Sequence, residues 1–420
     1  MSTYPPSPQC GRDMMSFTLA GCRAPLEIIA LIVQHLANER DIASLKACAC
    51  ACWDFVDICH HHIFNTIELS DSSANCSKPS RTRRYKKLFQ KSPWIANNVR
   101  TVKYINDLDF DGTVPVLRFL RRVHTFSFGF ANSDVFAGDQ YNWNAMLPKL
   151  QQSFCYFIQS NNIVNLHLRS ILDVPVGIFA HLPYLTDLDL VNVTISQAPP
   201  PIHFRKPESN ICLRSLMVHD SWTAINSLLK TSHTGICPLV DLRGMEDLVI
   251  IDYYYSLEAT GNILASSDYL ASVEIRGAEI DFLGHIARNI NPSSRRRLKK
   301  ITLVAELQGR DDPYKHFTHE LDQMAGDNVL EEIELQLSIE TNDVCNTEVR
   351  RWAQLDNVCS QHGAYPYLRR VQISVTTFSC GRDYTALHST LRADIGINGF
   401  LQLRSNNRVE FSFNVTGKEM

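Results

Sequence analysis

Three sets of residues have types and spacings that could carry chemistry. The first is Cys48, Cys52 and Cys59 with the run His60, His61, His62, sulfur and nitrogen donors of the kind that hold zinc. On one helix Cys48 and Cys52 share a face as i and i+4. Cys50 then lies opposite, and no C-x-x-C pair with a matching second pair exists. The preferred reading is small side chains buried between helices, with solvated histidines at a helix C-terminus, where positive charge is tolerated. The second set is the acidic pairs Asp187/Asp189 and Glu332/Glu334. On a strand each pair falls on one face, where two carboxylates can act as acid and base or bind a cation. No histidine or third carboxylate converges on them in sequence, so a solvated strand face is preferred. The third set is two basic runs, "RTRRYKK" (81–87) and "RRRLKK" (295–300). The second leads into a strand and reads as a charged turn. The first sits in the polar connector "DSSANCSKPSRTRRYKK" and is freer to be a targeting signal.

Signatures of catalysis are missing. The sequence holds no G-x-S-x-G, Walker A, H-E-x-x-H or dinucleotide fingerprint. No catalytic residue, cofactor or metal is therefore expected. The chain has 420 residues, 45% hydrophobic and 20% charged, with a net charge of -3. That is a globular balance with no global pull toward nucleic acid or acidic lipid. No apolar run approaches a membrane span, and residues 1–20 lack a secretory pattern. The 13 cysteines are then expected to be reduced, in cytoplasm or nucleus.

The elements that would position such groups begin with "APLEIIALIVQHL", Ala24 to Leu36. At about 100° per residue its apolar side chains sweep roughly 220° of arc, where a surface helix needs only about 100°. Pro25 suits its first turn. Asp41 can N-cap a second helix, "IASLKACA", and "CWDFVDICHHHIF" makes a third. Three short helices of this size seldom stabilise themselves, so part of the apolar arc is expected to meet a partner protein.

In this stretch the chain resembles an F-box, in the form common among fungal F-box proteins. Ala24-Pro25-Leu26-Glu27-Ile28 stands where the family has Leu-Pro-x-Glu-Ile. Leu45-Lys46-Ala47-Cys48 then leads to Cys52 and Phe55, and Ile63-Phe64 closes the module. Ala24, Ala49, Cys50 and Ala51 depart from the bulkier residues usual there. The resemblance implies docking onto a Skp-type adaptor, and through it a cullin ubiquitin ligase. The residues it assigns to adaptor binding, shared with packing inside the module, are Pro25, Leu26, Ile28, Ile29, Ile32, Val33 and Leu36, supported by Leu45, Cys52 and Phe55.

From Val99 onward one phrase returns, L-x-x-L-x-L: "VRTVKY" (99), "VHTFSF" (123), "IVNLHL" (163), "LTDLDL" (185), "LRSLMV" (213), "MEDLVI" (245), "LASVEI" (270), "LKKITL" (298), "LEEIEL" (330) and "LRRVQI" (368), with a weaker copy near Val409. Most starts lie 22 to 32 residues apart, and helical patterns such as "SWTAINSLLKTSH" fall between them. Phrase and period resemble leucine-rich repeats. The Asn or Cys that usually follows is replaced at Ile171, Val193, Ser221, Tyr253 and Ser338. The expectation is an α/β chain: residues 1–21 a disordered tail, 22–69 an F-box, 70–98 a connector, and 99–420 an irregular solenoid with parallel strands on its concave face and helices on its convex face. A doubly wound βαβ sheet is the alternative fold.

The resemblance as a whole implies an adaptor that holds a protein substrate on its repeats for ubiquitination. A stand-alone repeat scaffold is the alternative; neither nucleic acid nor membrane is an expected partner. In the phrase the leucines turn inward and the residues between them turn outward. The outward positions of the central repeats suggest an apolar patch of Val191, Met217, Val249 and Ile251, flanked by Asp187, Asp189, Asp247 and Glu274. Such a patch suits a protein partner with a basic segment. The proline-rich "SQAPPPIHFRKPESN" is the competing cover for this surface.

Overall fold

Pro25 stands just before the first helix and caps it rather than joining it. Its carbonyl accepts from the N–H groups of Ile28 and Ile29 at 3.0 and 3.2 Å. The computed structural model describes residues 25–51, 53–70, 81–106, 113–130, 140–197, 210–230, 239–252, 257–277, 286–308, 313–340, 349–379 and 385–419. Contacts divide the chain into two units, with the boundary between Ile63 and Phe64.

The first unit holds α1 (Leu26–Asn38), α2 (Ile42–Ala51) and α3 (Trp53–Ile63). Asp41 caps α2, its Oδ1 accepting from the Ser44 N–H at 3.0 Å. Hydrogen bonding from Ser44 holds the Asp41 carboxyl below its ordinary value. Val33, Leu45 and Cys59 are fully buried where the three helices meet, with Leu36, Cys48, Phe55 and Ile58 packed around them.

The second unit is built on strands β1 (Thr66–Ser70), β2 (Thr101–Asn106), β3 (Thr125–Phe130), β4 (Asn165–Pro175), β5 (Asp187–Ser196), β6 (Ser215–His219), β7 (Asp247–Asp252), β8 (Ser272–Gly277), β9 (Lys300–Gln308), β10 (Glu332–Glu340), β11 (Arg370–Ser379) and β12 (Glu410–Glu419). Each pairs in parallel with the next, in chain order. A doubly wound sheet reverses its strand order at a switch point; this order never reverses, so that alternative falls. Between strands run α4 (Arg81–Lys91), α5 (Thr113–Leu117), α6 (Pro148–Gln159), α7 (Trp222–Lys230), α8 (Leu257–Ser266), α9 (Pro313–Met324) and α10 (Val349–Ser360). Right-handed crossovers that always step the same way along a sheet keep to one of its faces. Burial agrees: in β10, Ile333, Leu335 and Leu337 are buried, while Glu332, Glu334 and Gln336 stay partly open. The chain is thus a mixed α/β protein with one large parallel sheet, covered on one side. No described helix is long and apolar enough to cross a membrane.

Each of the ten full copies of the L-x-x-L-x-L phrase lies on a strand that begins two residues after its first aliphatic, as Leu185 precedes Asp187 and Leu330 precedes Glu332. The sheet also starts earlier than Val99. Phe64-x-x-Ile67-x-Leu69 is a further copy, and Thr66 to Ser70 pair in register with Thr101 to Ile105. Thr66–Leu69 therefore belongs to the sheet and not to the helical module. The expected connector 70–98 contains α4, whose Phe89 and Thr82 are buried.

In the middle of the sheet the strands turn a shared corner. Ser170, Asn192 and Asp220 have left-handed backbones, φ 55°, 52° and 46°. They follow Arg169, Val191 and His219, which are register partners. Short polar residues tolerate this conformation best. Ser221, at a position where the repeat phrase usually carries Asn, ties the corner together. Its Oγ accepts from the Val193 N–H at 2.9 Å and donates to the His219 carbonyl at 2.8 Å.

Candidate protein-binding surfaces

Helix α1 carries two apolar faces. Ile29, Val33 and Leu36, spaced i, i+4 and i+7, face the core of their own unit, with Val33 fully buried and Ile29 at the edge of burial. Ile28, Leu31 and Ile32 form the neighbouring face and remain 46%, 65% and 48% exposed. The broad apolar arc thus divides into a half that packs and a half left to solvent. Of the expected adaptor-binding residues, Ile28, Ile32 and Pro25 are exposed, whereas Val33 and Leu45 are core. Phe55 is half-buried beside that core. Cys52 and the side chain of Leu26 lie outside the described residues. Leu31, outside the expected set, shares the exposed face through its i+3 spacing from Ile28. Cys59 is fully buried, and burial pushes its thiol up, which disfavours the thiolate a metal needs. Among the described residues no three His, Cys, Asp or Glu side chains converge.

The second surface is the face of the sheet opposite its buried aliphatics, where register sets the side chains in rows. One row runs Asp187, Ser215, Asp247, Ser272; the next runs Asp189, Met217, Val249, Glu274; the third runs Val191, His219, Ile251, Arg276. Met217 and Val249 are direct neighbours and half-buried, as an exposed patch requires. Val191 and Ile251 are not part of it, being 2% and 8% exposed. The cause lies at the corner: alternation breaks where the chain turns at Asn192, so Leu190 and Val191 are buried in succession. Ile251 is pinned there too, its carbonyl accepting from the Asp220 N–H at 3.1 Å. Most of "SQAPPPIHFRKPESN" lies outside the described residues.

The acidic positions differ in their partners. Glu274 pairs with Arg276 at 2.6 Å, and Asp187 accepts from the Thr186 hydroxyl at 2.5 Å. Burial, with Glu246 and Asp187 nearby, raises the Asp247 carboxyl above its ordinary value against the pull of Arg214. Glu332 pairs with Arg370 at 3.6 Å and Glu334 with Lys300 at 3.3 Å. Burial alone would raise Glu334, but hydrogen bonds from Gln336, Lys300 and Thr302 outweigh it and lower the carboxyl. Asp189 meets His167, Nδ1 to Oδ2 at 3.2 Å, a partner one strand away that no local motif announces. Ser127 lies across from His167 in register, below a cavity of about 540 Å³ that also takes in Lys103 and Arg169. Ser, His and Asp in one row are the residue types of a hydrolytic triad. No hydrogen bond joins Ser127 to His167, however, and the ladder engages the strand N–H groups that would otherwise form an oxyanion hole.

The sequence matches no protein-family model and no curated protein.

Proposed function

We propose that this chain is the substrate-recognition adaptor of a Skp–cullin–F-box ubiquitin ligase. In this reading the three-helix unit is an F-box that docks on a Skp-type adaptor. The sheet unit is an irregular leucine-rich-repeat solenoid that holds a protein substrate on its uncovered, concave face. The observation that carries the reading is the second apolar face of α1. Ile28, Leu31 and Ile32 lie open beside a core that is already complete without them, and exposed apolar faces of this kind mark partner sites. The F-box resemblance of the same residues names the partner. Met217 and Val249, with Asp187 and Asp247 in the next row, supply an apolar centre and a negative rim for the substrate.

Co-expression with a Skp-type adaptor tests the proposal. The expected result is a stoichiometric complex that persists through size exclusion. A well-behaved chain with no affinity for the adaptor would leave the stand-alone scaffold in its place.

A further inference from the structure

The two basic runs end in different circumstances. The run 295–300 is neutralised where it lies. Arg296 pairs with Asp327 at 3.0 Å, Lys299 with Glu331 and Lys300 with Glu334 at 3.3 Å each, and the Arg297 guanidinium sits 4.2 Å from the Tyr269 ring centre. It is a structural feature of the sheet.

At the other end of the sheet the first run is compensated at Arg81, which pairs with Glu68 at 3.3 Å, and the basic surface continues beyond it. From Arg81 to Val164 the described residues include twelve Lys and Arg and no Asp or Glu. The five aspartates of this stretch, Asp107, Asp109, Asp111, Asp134 and Asp139, lie outside the described residues. Helices α4 and α5 pack together, as do α5 and α6. Between α5 and α6 a cavity of about 650 Å³ opens, lined by Arg118, Arg121, Lys149, Gln152, Ser153 and Tyr156 among others. Arg118 and Lys149 make no ion pair among the described residues. Arg121 is held by Tyr156, its Nη2 donating to the phenol oxygen at 2.8 Å and its guanidinium 4.9 Å from the ring centre. Like charges lining one cavity repel wherever they come within a screening length of about 8 Å at physiological salt. An anion in the cavity would relieve that repulsion.

We infer that this cavity binds a small polyphosphorylated ligand. A guanidinium fork matches phosphate oxygens two at a time, an ammonium adds a point charge, and Gln152 adds amide donors. Three cations with no carboxylate among the described lining residues suit a ligand bearing several negative charges rather than a single carboxylate. The concave lining favours a discrete molecule over a flat lipid surface, and it shares no residue with the Met217–Val249 surface of the same unit.

The test is calorimetric titration of the full chain with inorganic tripolyphosphate at physiological salt. Saturable one-to-one binding is expected. Arg118→Ala and Lys149→Ala should each weaken it about tenfold or more, while Arg84→Ala on α4 changes it less than about twofold. Thermal melting checks that each variant stays folded. Vesicles bearing a polyphosphorylated headgroup form a second arm. Displacement of bound vesicles by tripolyphosphate supports the cavity as the phosphate site and a lipid as one source of it. Three results overturn the inference: no saturable heat, equal losses in all three variants (a diffuse field, not a site), or vesicle binding that tripolyphosphate does not displace.

Discussion

Replacing Ile28, Leu31 and Ile32 together by Ala separates partner binding from folding in the first unit. Full burial of one Leu or Ile side chain stabilises by about 1.5–3 kcal/mol. These three keep 46%, 65% and 48% of their surface in water, so about 2–5 kcal/mol of burial between them is still available to a partner. At about 1.4 kcal/mol per tenfold, the triple variant should bind a Skp-type adaptor roughly thirty- to three-thousand-fold more weakly. Its own melting should change little, because the core of Val33, Leu45 and Cys59 is untouched. Val33→Ala is the complementary control. It removes two methyl groups from a fully buried position and should cost about 1–3 kcal/mol of stability. Calorimetry with purified adaptor measures the first effect and thermal denaturation the second. Undiminished binding by a folded triple variant would refute the assignment of this face.

Met217→Glu should leave the melting temperature nearly unchanged while impairing substrate capture, whereas Ile251→Glu, at 8% exposure, should destabilise the sheet; equal melting of the two would contradict the corner geometry. Glu320 in α9 is fully buried, its Oε2 accepting from the Ala287 N–H at 2.5 Å and its Oε1 without a partner among the described residues. Burial raises this carboxyl to about 7 from an ordinary 4.5, against hydrogen bonds from Ala287 and Ile286 that lower it. A raised folded pKa means its stabilising contribution is full below about 4.5 and fades as pH rises through about 7, amounting to about 3 kcal/mol. Glu320→Gln should flatten the stability profile in that window, and identical profiles for variant and parent would count against it. Asn161 accepts from the Val123 N–H at 2.9 Å and donates to the Leu120 and Phe157 carbonyls at 3.1 and 2.8 Å. Asn161→Ala orphans buried groups at about 1–3 kcal/mol each, which denaturant titration should register.

Alternation made the strands readable, because the sheet is covered on one side and each copy of the phrase puts its aliphatics there. β1 escaped notice only because Phe64 takes the first aliphatic place beside a helical module. α4 escaped because its charges hide the spacing of Thr82, Tyr85 and Phe89, which turn inward together. The candidate surface was legible at Met217 and Val249 and misread at Val191 and Ile251. A single left-handed residue shifts which neighbours are buried, and Asn192 or Asp220 looks in sequence like any polar loop residue. His167 and Asp189 meet across strands 22 residues apart, a pairing that depends on register rather than on any motif. The exposed and packed halves of α1 were mixed in the sequence reading because the arc alone does not reveal which side meets α2 and α3.

The strand order follows the chain from β1 to β12 without a break. During synthesis, then, each strand emerges to find the neighbour it needs already made, and none has to wait for a later one. Contacts in such an array join adjacent units, so ordering can advance along the chain as it lengthens, with only the newest edge and the outer edge of β1 unpaired in the sheet. A sheet this wide would otherwise be slow to form and prone to aggregate, because distant strands would have to find one another. The direction of translation and the direction of assembly are here the same.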